Sequence, residues 1–240
     1  MKRCNVCFFN KKYVSLQKQQ HYFFSMASNS LWQDDYWVLL MQLYQQEPAG
    51  IKPMYSRRMV ELCMELHLAP QFMYEKMFEL RNAATPTLKR LWERYADKPK
   101  RLSRAANMVR SMVGFSNSFD FYDGVETADT FEADFRPIAK CDGLMPVMLI
   151  LILDLYFRLI PATMKDDTPE VHDLAMLLGI KTSVVVDVMD VFQLLDPYLN
   201  RNEFMITPLL KPCQQVWQRY GNGNIEQLAT LAAQLKEYFR

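Results

Sequence analysis

Eight basic residues fall within residues 86–113: Lys89, Arg90, Arg94, Lys98, Lys100, Arg101, Arg104 and Arg110, against only Glu93 and Asp97. Ammonium and guanidinium groups at this density suit the holding of phosphates or carboxylates. Lys89, Arg90, Arg94, Lys100, Arg101 and Arg104 form the candidate basic binding face. Arg101 and Arg104 lie three residues apart, so a helix would carry both on one side, with Lys100 beside them. The competing reading is a solvated helix face.

Catalytic patterns are sparse. The three histidines, His21, His67 and His172, form no His-x-x-x-His or Glu-x-x-His pair that would set two metal ligands on one helix face. No glycine loop that cradles phosphate and no Gly-x-Ser-x-Gly elbow occurs. Asp166, Asp167, Glu170 and Asp173 cluster around Thr168, where a helix dipole alone favours acids. Asp154 is the one ionisable residue in an apolar run; with Arg158 four residues on, it reads as a surface ion pair. Cys4-x-x-Cys7 has the spacing of half a zinc site, but no second pair follows, so the two read as ordinary thiols. Five scattered cysteines point to free thiols and a reducing, cytoplasmic setting. No cofactor and no enzyme activity is expected.

The elements that must position these residues are helical. Seven glycines and sixteen methionines in 240 residues, with abundant Leu and Gln, favour an all-α fold. Residues 144–153 are continuously apolar, too short for the roughly 20 residues that span a bilayer. They read as a core helix with one solvated stripe at Asp154 and Arg158, so no membrane partner is expected. Residues 34–46 form a comparable helix, with Trp37, Leu40, Met41 and Tyr44 on one face. Each is followed by a break and two shorter helices. Ser56 and Thr168 stand at the expected caps, and Pro70 and Pro169 suit first helical turns.

This order of features occurs twice. Thr85-Pro86-Thr87-Leu88-Lys89 recurs as Thr207-Pro208-Leu209-Leu210-Lys211, and Trp92-Glu93-Arg94-Tyr95 as Trp217-Gln218-Arg219-Tyr220. An amphipathic helix follows each, over 102–113 and 225–239. The pattern implies tandem duplication of a helical unit, with two units packed about a pseudo-twofold. The recurring Trp and Tyr read as core, or as a ligand site used twice with a stacked Arg.

Ala175, Gly179 four residues later and Val185 six beyond that carry the spacing of a small residue, a turn glycine and an apolar residue between two helices. This resembles the helix-turn-helix of DNA-binding proteins over about 20 residues. The first copy has Cys63 and His67 at the first two positions. The resemblance implies a second helix presenting Lys181, Thr182, Ser183, Val186, Asp187 and Asp190, or Gln71, Tyr74, Glu75 and Phe78 in the first copy. One base against three acids suits another helix better than a polyanion. The candidate helix-turn-helix surface is therefore Gln71, Tyr74, Glu75, Lys181, Thr182, Ser183 and Asp187.

The expected organisation is a basic tail over 1–30, helical unit 1 over 31–113, an acidic aromatic linker over 114–142 and helical unit 2 over 143–240. Residues 1–25 carry five bases and no acid, and read as a basic tail or as an extension before a start at Met26. The linker is expected to lay its aromatics on a surface, and its six acids over 115–135 can neutralise the basic segment. The whole-chain charge of +1 implies no global pull toward nucleic acid. The expected function is a non-enzymatic interaction or regulatory protein that binds a protein partner through helical surfaces. The alternative is a nucleic-acid-binding protein that uses the basic helices 86–113, with the helix-turn-helix-like units as scaffold. Self-association fits either.

Overall fold

The computed structural model describes residues 32–115, 131–141, 143–199 and 206–240. The basic tail and most of the acidic linker lie outside the described residues. Among the described residues every regular element is helical: α1 (Tyr36–Gln45), α2 (Arg57–Leu66), α3 (Pro70–Arg81), α4 (Pro86–Tyr95), α5 (Pro99–Arg110), α6 (Phe131–Asp134), α7 (Pro146–Tyr156), α8 (Pro169–Leu178), α9 (Thr182–Leu195), α10 (Leu210–Val216) and α11 (Ile225–Leu235). No strand occurs among them, and no helix is long and apolar enough to cross a membrane.

Packing divides these helices into two compact units. One holds the described residues up to 52 and from 65 to 115. The other holds 53–64 and the described residues from 131 onward. The division falls inside α2, so residues 57–64 of that helix group with the later part of the chain. The first-copy pair α2 and α3 is therefore not the core of one unit. The second-copy pair, α8 and α9, lies wholly within one unit and packs face to face.

In the first unit α1 is the hub, packed by α3 and α5. Tyr36, Trp37, Leu39, Leu40, Met41 and Leu43 are all buried along it. The chain leaves α1 through a loop in which Gly50 N–H donates to Tyr44 O at 2.8 Å and the buried Lys52 ammonium donates to the carbonyls of Gln46 and Pro48. In the second unit α7 is the hub, packed by α6, α8, α9, α10 and α11. Every residue from Val147 to Tyr156 is buried. The expected solvated stripe is thus absent: Asp154 is 4% exposed. Its carboxylate accepts from Arg158 Nη2 at 2.7 Å, so the charge is satisfied by a side chain that reaches outward.

Two expected caps do not form. Thr168 Oγ1 donates to Thr163 O at 2.5 Å instead of capping α8, and the buried Ser56 Oγ has no hydrogen-bond partner among the described residues. Thr85 caps α4 by accepting from Leu88 N at 3.3 Å, ahead of Pro86 in the first turn. Asn224 caps α11 by accepting from Glu226 N at 2.8 Å.

Candidate interaction surface

The basic segment folds as two successive helices of the first unit, α4 and α5, in contact with each other. Helix α4 is anchored by fully buried Leu88 and by Trp92, whose indole N–H donates to Leu80 O at 2.8 Å while its ring meets Tyr44 edge-on. Helix α5 packs on α1 through Leu102, Ala106 and Val109. The turn between them is tied down by Gln45, whose side-chain amide reaches Ala96 O at 3.2 Å. These anchors fix which side each helix turns outward. Lys89, Arg90 and Arg94 on α4, and Lys100, Arg101 and Arg104 on α5, are all exposed, as is Lys98 in the turn.

None of these seven cations forms an ion pair among the described residues. Arg101 lies over the Tyr95 ring at 5.9 Å, which orders its guanidinium without neutralising it. Arg110 is different. Glu65 receives it through two hydrogen bonds of 2.5 and 3.0 Å, and Gln42 takes a third at 3.0 Å. It braces α5 and is withdrawn from the face. Lys98, Lys100 and Arg101 also crowd the N-terminal end of α5, where the helix dipole disfavours cations and no acid stands in the first turn.

The C-terminal part of α5 shows a second property that charge counting misses. Met108 is 65% exposed, and Met112 and Val113, just past the helix, are 47% and fully exposed. Arg101, Arg104 and Met108 follow the helical period, so guanidinium groups and a thioether line one stripe, with Met112 just past the helix end.

The helix-turn-helix candidates are spread over both units. On α3, Gln71 and Glu75 are exposed and bonded to each other at 3.1 Å, Phe78 is exposed, and Tyr74 is half-buried edge-on to Phe78 at 5.1 Å. On α9, Lys181, Ser183 and Asp187 are exposed, whereas Thr182, Val186 and Asp190 are half-buried. The turn before each helix has one form. His67 has φ 54° and Gly179 has φ 68°, so histidine takes the left-handed conformation at the glycine's place. Cys63 and Ala175, and Met73 and Val185, are buried at the matching positions.

Of the recurring tryptophans, Trp217 is buried among Tyr156, Phe157 and Phe192, whereas Trp92 is half-buried. Tyr220, like Tyr95, is half-buried under an arginine, Arg219, at 5.1 Å. The described end of the linker packs within the second unit. Phe135 is buried against Tyr238 and Tyr55. Asp134 receives Arg219 at 2.6 Å and Glu132 receives Arg136 at 2.9 Å, so these two acids are used there. The other four lie outside the described residues.

Among the described residues no group of His, Cys, Asp and Glu is arranged to hold a metal ion. An open depression lined by Pro53, Ala229, Thr230, Ala233, Gln234 and Glu237 carries one ionisable side chain, and Glu237 is paired with Arg240. Burial pushes the Cys63 thiol well up and the Cys213 thiol up to about 12, which disfavours the nucleophilic thiolate. No protein-family model matches the chain, and neither does any curated protein or solved structure.

Proposed function

We propose that the protein is a non-enzymatic interaction protein that engages a protein partner through the outward side of α4 and α5. One observation carries this reading: α4, α5 and the turn between them expose seven cations that form no ion pair among the described residues, and α5 also exposes Met108. Arg and Met are the residue types enriched at protein interfaces, where the thioether adapts to an irregular partner. Two buried free thiols, Cys63 and Cys213, support a reducing compartment such as the cytoplasm. A doubled helical unit belongs to the same proposal. Its support is the pair of left-handed turns at His67 and Gly179, 112 residues apart, with buried residues at matching offsets.

The test is affinity capture with wild-type bait and with Arg101→Glu/Arg104→Glu bait. A stoichiometric protein retained by the first and lost from the second is expected; equal capture by both would remove this face from the account.

The second reading, nucleic-acid binding through α4 and α5, is favoured by the density of exposed cations alone. It requires a logarithmic loss of duplex affinity with salt, with a slope set by the number of phosphates neutralised. The candidate surface of α9 and its N-cap offers one exposed cation, Lys181, against exposed Asp187, which is poor for reading DNA.

A further inference from the structure

Resting on that reading, we infer that the partner presents an acidic amphipathic segment, with carboxylates at one end and large apolar side chains at the other. The argument is the order of groups along one stripe of α5. Arg101 and Arg104 come first, flanked by Lys98 and Lys100, Met108 follows, and Met112 lies just past the helix end. Arg101 to Met108 rises about 10 Å at 1.5 Å per residue, the length of two turns of a docked helix. The cations are exposed and make no ion pair among the described residues, so they ask for anions from outside the unit. Met108, at 65% exposure, asks for apolar area. A phosphodiester backbone answers the first demand and leaves the second unmet. Bases would need open aromatic platforms, and Tyr95, the aromatic beside these cations, is half-buried beneath Arg101. An acidic segment that continues into leucine or phenylalanine answers both. Helix-in-groove recognition uses this division of labour, with charge setting orientation and apolar anchors setting residence.

The two halves of the stripe are separable by experiment. The probes are a fluorescein-labelled 16-residue peptide with glutamates in its first half and leucine and phenylalanine at helical spacing in its second, a twin with glutamine for every glutamate, and a 20-base-pair duplex. Anisotropy titrations use the full chain at two salt concentrations. The acidic peptide is expected to bind about tenfold tighter than its twin, a difference of one decade in Kd. Arg101→Glu/Arg104→Glu is expected to abolish binding and its salt dependence. Met108→Ser/Met112→Ser is expected to weaken binding about tenfold while leaving the salt dependence in place. All four side chains are exposed, and circular dichroism checks that the variants fold. Equal binding of the glutamine twin would overturn the acidic partner while leaving a protein-binding face. Duplex binding that ignores the methionine substitutions, with no peptide binding, would overturn both. Failure of every probe at several hundred micromolar would overturn the inference.

Discussion

Arg110 and Arg104 lie six residues apart on one helix and do different work. Arg110 is held by Glu65 and Gln42, with both members of the ion pair only about a third exposed. A bidentate pair of this kind is worth about 1 kcal/mol. Arg110→Ala should therefore lower the unfolding free energy by that amount and shift the urea midpoint down, whereas Arg104→Ala should leave both unchanged; equilibrium unfolding followed by circular dichroism checks both. The buried thiols make a second prediction at this scale. Burial raises Cys213 from its ordinary 9.0 to about 12, with Cys141 adding a smaller push. Below about pH 9 the folded and unfolded chains both keep this proton. Above it the unfolded chain gives the proton up first, so folding stability falls as pH rises from 9 toward 12. Burial also raises Tyr55 and Tyr220, which act in the same direction above pH 10. Thermal unfolding from pH 8 to 10.5 should show a declining Tm, and Cys213→Ala should flatten the first part of the decline. The charges of the basic face were legible because charge needs no partner to be read. The withdrawal of Arg110 was not, since Glu65 and Gln42 lie 45 and 68 residues away.

Helices can be read from sequence where a single period or an unbroken apolar run dominates. Helix α7 is such a case, and its burial on all sides follows from having no polar face to expose. Yet the same run hid the burial of Asp154, because an i,i+4 partner looks alike on a surface and at a core boundary. Helix α2 exposes the other limit. Its pattern tells that Met59, Val60, Leu62 and Cys63 are buried, but not which core takes them, and residues 57–64 group with the second unit. His67 carried no signal of its left-handed turn, since only glycine advertises that conformation. Two glycines separate conformational from steric need. Gly179 has φ 68° and open space around a built Cβ, so Gly179→Ala should cost about 1 kcal/mol through the backbone alone. Gly221 closes a wide helical turn begun by Trp217, and a Cβ there would lie 2.5 Å from the indole. Gly221→Ala should cost about 1–3 kcal/mol by displacing a buried ring. Tryptophan fluorescence should shift for Gly221→Ala and stay fixed for Gly179→Ala.

At the scale of the whole molecule, the all-helical class is fully accounted for by composition: few glycines, many unbranched side chains and two apolar hub helices. What composition cannot convey is which exposed groups are left over after folding. A net charge of +1 conceals a first unit that turns seven cations outward from two successive helices and the turn between them. Methionine 108 is equally mute in sequence, where it reads as one more apolar residue of an amphipathic helix. Exposure, and the lack of ion pairs among the described residues, turn these residues into a surface with a chemical demand.

That demand is tested most directly by site-specific photo-cross-linking in cells that make the protein. A benzophenone side chain at Asn107, exposed on α5 between the cations and Met108, is compared with one at exposed Ser183 on α9. Discrete protein adducts from position 107, lost on adding Arg101→Glu/Arg104→Glu and missing from position 183, are the predicted result. Adducts that persist in the charge-reversed background, or that are nucleic acid instead of protein, would contradict it.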